Sequence, residues 1–251
     1  MLIPIPTSAF AAILPLILGS AALPTAADKP AAFFLAGDST TAVQSTGGGG
    51  WGNGFLNTTL QSGATGKNYG HNGATTVSFR EGGDWATVLS AVKNAKADYT
   101  PYVTIQFGHN DQKTDKNISV AQYSANLAQF VADILVTPLS RRQYDSAGKI
   151  KESLAEQRTA TLAVAKNTSA LAVDLNRAST DYLNAIGSAD AYTYNLNADD
   201  YTHLNEAGSV VFGNMVAWLM DESADADVLS QWTVASAEYV QDFKNGVYIS
   251  P

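Results

Sequence analysis

The sequence predicts an α/β fold, a three-layer α/β/α sandwich around a central parallel sheet. Three observations carry this. Four short apolar runs recur along the chain, they lack the alternation of half-solvated strands, and amphipathic segments fall between them. Strands covered on both faces read as continuous apolar runs, and strands that alternate with helices build parallel sheets joined by right-handed crossovers.

The first run, 31–36 (AAFFLA), ends at Gly37 and reads as a buried strand. Residues 84–95 follow helical spacing, with Trp85, Val88, Leu89 and Val92 on one face. The second strand is 102–107 (YVTIQF), ending at Gly108. A helix over 120–131 groups Tyr123, Leu127, Phe130 and Val131, with Ser119 placed to cap it. It runs almost directly into a third strand, 134–137 (ILVT), stopped by Pro138. An αβ connection ordinarily takes a few turn residues, so either Ala132-Asp133 form a very tight link or a short segment is missing there. A helix over 153–165 carries Leu154, Leu162 and Val164; the fourth strand is 171–175 (LAVDL). A last long helix, 206–220, carries Val210, Val211, Met215, Trp218 and Leu219. Gly47 to Gly50 lack the Lys-Ser/Thr ending of a phosphate-binding loop and read as a flexible loop.

The 251 residues suit one full-sized domain, and 45% hydrophobic against 15% charged residues suits a globular chain. A net charge of −8 argues against nucleic acid as a partner. The chain has no cysteine, which excludes disulfides and thiolate metal sites. Residues 10–22 (FAAILPLILGSAA) are apolar and followed by small residues, the pattern of a signal-peptide core, although no Lys or Arg precedes them. They are too few for a membrane span. We therefore expect a signal peptide over 1–27, a catalytic domain over 28–251, and a secreted monomer without membrane attachment. Three Asn-x-Ser/Thr sequons, at Asn57, Asn117 and Asn167, fit an exported glycoprotein.

Open parallel sheets bind ligands at the carboxyl ends of their strands. The first strand is followed there by Gly37-Asp38-Ser39-Thr40-Thr41 and the second by Gly108-His109-Asn110-Asp111; Asp200-Tyr201-Thr202-His203 precedes the last helix. A Ser hydroxyl needs an imidazole to take its proton, and the imidazole needs a carboxylate to hold its tautomer. Three residues separate Asp200 from His203, so one turn can present both side chains. Asp199 is the competing carboxylate. Ser39, between a strand and an expected helix, places backbone N–H groups in the site, and Asn110 can add an amide to an oxyanion hole. Asp38 is expected to bond loop backbone. His71 and His109 are expected to pack or line the site, and a zinc site from the three histidines lacks ligand spacing. Arg80, Lys113, Lys116, Arg141 and Arg142 lie near these loops in sequence and can either attract a substrate carboxylate or be solvated surface charge.

At these residues the sequence resembles the SGNH hydrolases, whose ordered blocks correspond here to Gly37-Asp38-Ser39, Gly73, Gly108-His109-Asn110-Asp111 and Asp200-Tyr201-Thr202-His203. Within them it is most similar to the rhamnogalacturonan acetylesterases, through Gly50-Trp51-Gly52, Asn72-Gly73-Ala74, Arg80-Glu81-Gly82, the run Thr137-Pro138-Leu139-Ser140-Arg141-Arg142, and His203-Leu204-Asn205-Glu206-Ala207-Gly208. The resemblance implies a flavodoxin-like fold and deacetylation of pectin. It implies Ser39, Asp200 and His203 as the triad, and Ser39, Gly73 and Asn110 as the oxyanion hole. Arg80, Lys113 and His109 are taken as substrate-binding, with no metal or cofactor required. Two other readings stay open: an esterase for acetylated xylan or short-chain esters, and a non-catalytic carbohydrate-binding relative.

Overall fold

The computed structural model describes residues 29–44, 48–130, 132–223 and 225–250. The expected leader lies outside them. Five parallel strands form the central sheet: β1 (Ala31–Gly37), β4 (Thr65–Asn68), β5 (Thr100–Gln106), β6 (Ile134–Val136) and β7 (Leu171–Val173), in the order β4-β1-β5-β6-β7. Counted among themselves the five run 2-1-3-4-5, the flavodoxin-like order. Three two-residue strands, β2 (Val43–Gln44), β3 (Gly48–Gly49) and β8 (Leu204–Asn205), make a small antiparallel sheet.

Nine helices are found among the described residues: α1 (Gly52–Thr58), α2 (Thr76–Glu81), α3 (Asp84–Ala95), α4 (Val120–Gln129), α5 (Ala155–Thr168), α6 (Leu175–Ala191), α7 (Glu206–Asp221), α8 (Ala226–Leu229) and α9 (Ala237–Asn245). Two apolar cores flank the sheet, and β1 feeds both. Ala31, Phe33 and Leu35 enter the core with α1, α6 and α7; Ala32, Phe34 and Ala36 enter the one with α2 to α5. All seven residues of β1 are buried, which is why its sequence shows no alternation.

The described residues on either side of the junction before β6 are well anchored. Phe130 is already extended after α4 (φ −76°, ψ 118°). Asp133 then ties the start of β6 to its neighbours: its N–H donates to Val103 O (3.2 Å), its carboxylate accepts from Val103 N–H (2.8 Å), and its carbonyl accepts from Leu171 N–H (2.9 Å). Gly48 to Gly50 are also more ordered than a flexible loop. Gly48 and Gly49 form β3, paired to both β2 and β8. A Cβ on Gly50 would lie 2.0 Å from the Thr40 carbonyl, so the hairpin packs directly on the turn that carries Ser39. No expected helix follows Ser39; one turn, closed by Ala42 N–H to Asp38 O (3.0 Å), leads into β2 instead.

Candidate active site

Strand register brings the site loops together. β1 and β5 pair from Ala31↔Thr100 to Gly37↔Gln106, so both chains leave the sheet side by side. The segment after β4 returns to the same edge, where His71 N–H donates to Gly37 O (2.9 Å). The fourth loop arrives through the small sheet, in which Gly49 pairs with Leu204, the residue after His203. Thus the hairpin following Ser39 holds the strand following His203.

The geometry that results is a proton relay. Ser39 Oγ lies 2.9 Å from His203 Nε2, and His203 Nδ1 lies 2.8 Å from Asp200 Oδ2. Asp200, rather than Asp199, meets the ring. Its other oxygen accepts from the N–H groups of Thr202 (3.0 Å) and His203 (2.9 Å). Partial burial works to raise the Asp200 pKa, but the hydrogen bonds from His203 and Thr202 outweigh it and hold the carboxyl below its ordinary value. An ionised carboxylate can only accept, so Nδ1 carries the proton. Nε2 of the neutral ring is then the acceptor facing the Ser39 hydroxyl.

Candidate amide donors lie on the loops that follow β1, β4 and β5 at the same sheet edge. Among the described residues, the backbone N–H groups of Ser39 and Gly73 donate to no protein acceptor. Gly73 has φ +79° and open space around a would-be Cβ, so a left-handed glycine keeps this approach clear. Asn110 Nδ2 donates one hydrogen to Ala74 O (3.0 Å), leaving the second free, while Lys113 Nζ donates to Asn110 Oδ1 (2.7 Å). The amide is thus held at both ends. Asp111 fixes the neighbouring loop: its Oδ1 accepts from the N–H (2.9 Å) and hydroxyl (2.6 Å) of Thr76, the first residue of α2.

Beneath the site, Asp38 is fully buried and accepts from Thr40 N–H (2.8 Å) and Thr40 Oγ1 (2.7 Å). Burial favours its neutral form, yet the His109 ring and Thr40 together hold its pKa below the usual carboxylate value. Sequence inspection missed Gln106, which is buried at the end of β5. It accepts from Trp51 Nε1 (2.6 Å) and donates to Thr40 Oγ1 (2.6 Å), bracing the Ser39 turn from below. Only its place at a strand's carboxyl end hinted at this.

Two expectations need correction, those for His109 and Arg142. His109 is not substrate-binding: its side chain is 3% exposed, with Nδ1 turned to Asp38 Oδ2 (3.6 Å). Arg80 donates to Gln129 and pairs with Glu81 (3.8 Å), about one helical turn, roughly 6 Å, along α2 from Thr76. Arg142 is neither a surface charge nor a substrate contact. It is fully buried, donating to Asn195 Oδ1 (2.6 Å) and to His203 O (2.6 Å). Arg141 is partly buried, its guanidinium bonded to Ser153 Oγ (2.9 Å) and His109 O (3.4 Å). Each histidine has its own carboxylate, His71 pairing with Asp84 (2.8 Å), and no metal-binding cluster occurs among the described residues.

Burial of His109 has a consequence for stability. Desolvation lowers its pKa, Arg141 adds to this, and Asp38 opposes it without prevailing. The unfolded chain then binds the proton more readily than the folded one, so stability is full above the unfolded value of about 6.5 and declines as pH falls below it. Asp38, with its pKa depressed, loses its contribution only below about 3.9, so it does not enter this window. Urea unfolding between pH 7 and 5 is expected to show a shallower loss of stability in His109→Gln than in the parent. Identical slopes would contradict the assignment.

A flavodoxin-like sheet with a Ser–His–Asp relay and free amide donors at its carboxyl edge defines an SGNH hydrolase. A profile of the GDSL-like Lipase/Acylhydrolase family matches residues 35–211, and the chain belongs to that family. It is 28% identical over 217 residues to rhamnogalacturonan acetylesterase RhgT of Bacillus subtilis (strain 168), covering 77% of this chain and 91% of that one. Two solved structures share the fold. Protein YXIM from Bacillus subtilis superposes with a TM-score of 0.68 at 22% identity, over 77% of this chain and 57% of that chain. Axe2, an acetylxylan esterase from Geobacillus stearothermophilus, superposes with a TM-score of 0.56 at 19% identity, over 77% and 95%. The chain thus spans little more than half the length of YXIM. Family and relatives together mark the protein as an esterase-type hydrolase.

Proposed function

We propose that this protein is a secreted serine acetylesterase that removes acetyl groups from pectic rhamnogalacturonan through an acyl-enzyme. The observation that carries the reading is the continuous relay from Ser39 Oγ through His203 to Asp200, at 2.9 and 2.8 Å. Ser39 Oγ attacks the acetyl carbonyl carbon as its proton passes to His203 Nε2. The carbonyl oxygen, now an anion, faces the N–H groups of Ser39 and Gly73 and the free hydrogen of Asn110. His203 returns the proton to the departing sugar oxygen as the ester C–O bond breaks. Water then gives a proton to His203, its oxygen attacks the acyl carbon, and the proton returns to Ser39 as acetate leaves.

The similarity to RhgT supports rhamnogalacturonan as substrate. Lys113 supports it as well, since it remains an exposed cation touching the oxyanion-hole residue Asn110. Export is supported by the apolar segment 10–22 and by the exposure of all three sequon asparagines. Acetate release from acetylated rhamnogalacturonan, acetylated xylan and p-nitrophenyl acetate tests the substrate. We expect the highest kcat/KM on the first, and Lys113→Met is expected to raise KM there by about three- to tenfold more than on neutral xylan, the size of one partly exposed charge contact. Preference for xylan, with Lys113→Met acting equally on both, would refute the pectic assignment.

A further inference from the structure

A cluster of tyrosines, which takes no part in the relay, includes a residue of the segment that carries Asp200 and His203. Tyr201 lies between Asp200 and His203 in sequence, and its ring centroid is 5.1 Å from that of Tyr192 at an interplanar angle of 55°. Tyr192 in turn packs against Tyr144 at 5.9 Å and 79°. Tyr192 is 37% exposed, and it is the only aromatic among the exposed large hydrophobics of the described residues. Among the described residues, no hydrogen bond engages the hydroxyl of Tyr192 or Tyr201, whereas the Tyr144 hydroxyl is pinned to Leu183 O (2.7 Å).

The loop bearing Tyr201 is tied down by backbone hydrogen bonds. Leu196 N–H donates to His203 O (2.9 Å), Asp200 N–H to Asn197 O (3.0 Å), and Arg142 N–H to Tyr201 O (2.8 Å). Two residues on from Tyr201, His203 lies at most about 7 Å away along the chain. A tyrosine ring offers a large, stiff, amphipathic face with little side-chain entropy to lose, plus a hydroxyl for polar contact. The C–H face of a pyranose suits that surface, and the ring hydroxyls suit the free phenols. Charged groups on the same loop are the carboxylates Asp199 and Asp200, which disfavour an anionic sugar at this spot.

We propose that Tyr192 and Tyr201 form a carbohydrate subsite, on which a neutral pyranose ring stacks next to the acetylated unit. This rests on the polysaccharide reading above and adds the side of Ser39 on which the glycan chain lies. The subsite is tested first by the ratio of kcat/KM on an acetylated oligosaccharide to kcat/KM on p-nitrophenyl acetate, which is independent of how much protein is active. Tyr192→Ala is expected to lower that ratio about three- to tenfold, and Tyr192→Phe to restore most of it. Affinity for deacetylated xylo- and rhamnogalacturonan oligosaccharides, measured by NMR titration of the Ser39→Ala protein, gives a second readout that needs no turnover. There Tyr192→Ala is expected to weaken binding by a similar factor. An unchanged ratio with unchanged affinity would overturn the subsite while leaving the esterase reading intact. Intact, Tyr192-dependent binding without acetate release would sink the esterase reading and keep the subsite.

Discussion

Replacing Ser39 with Ala is expected to lower kcat on p-nitrophenyl acetate by about 10³-fold or more, with folding unchanged. The side chain is 6% exposed and its hydroxyl makes one contact of consequence, the 2.9 Å approach to His203 Nε2. Removing one oxygen from a turn already closed by Asp38 O costs little stability, because Thr41 and Ala42 N–H still close it. It removes the atom that would bond to the acyl carbon. The N–H of Ser39 survives the substitution, so part of the proposed oxyanion hole remains and some hydrolysis above background is expected. Mass spectrometry of the protein after a fluorophosphonate probe provides a direct check: parent protein labelled at Ser39, variant unlabelled. Labelling elsewhere, or near-parental turnover in the variant, would remove Ser39 from the nucleophile's role.

Arg142→Met is expected to have the second largest effect, on placement of the imidazole rather than on chemistry. Arg142 is fully buried and holds three points of the His203 loop, with its N–H on Tyr201 O and its guanidinium on His203 O and Asn195 Oδ1. Burial pulls its pKa down to about 10 against the opposing charge of Asp200, so the group is still a cation at neutral pH. A buried cation is costly, and Nη1 finds no partner among the described residues. Folding tolerates that cost because the two charge-assisted bonds lock the loop. Methionine keeps much of the volume and strands Asn195 Oδ1 without its donor. A net loss of about 2 kcal/mol is expected, the difference between hydrogen bonds to a charged group and the relief of its desolvation. Thermal melting should fall by about 4–8 °C for a chain of this size. A displacement of the ring by about 1 Å would lower kcat by up to 10²-fold. A melt that drops while kcat holds would show that the guanidinium stabilises the loop without placing the imidazole.

Legibility in the sequence followed how local each feature is. Helix α3 was expected at 84–95 and is found there, because its apolar spacing and bounding residues lie within the segment itself. Strand β4 was missed because Thr-Gly-Lys-Asn carries no apolar run; it is an edge strand with exposed and half-exposed residues alternating. Helix α1 was missed because glycines mask it. They serve contact with α7: a Cβ on Gly54 would lie 1.8 Å from Ser209 O. Helix α6 was missed through its polar surface and the break at Gly187 (φ 80°).

By itself the sequence determined the apolar strands, the motifs at their carboxyl ends, and the three-residue step that seats Asp200 beneath His203. All of these are set by backbone geometry over a few residues. The tertiary structure alone decided that Ser39 meets His203 across 164 positions, that Arg80 turns to Gln129, and that His109 and Arg142 face inward. A charge's role depends on what desolvates it and what it bonds. Those neighbours come from strand register and helix packing, and residue type does not encode them.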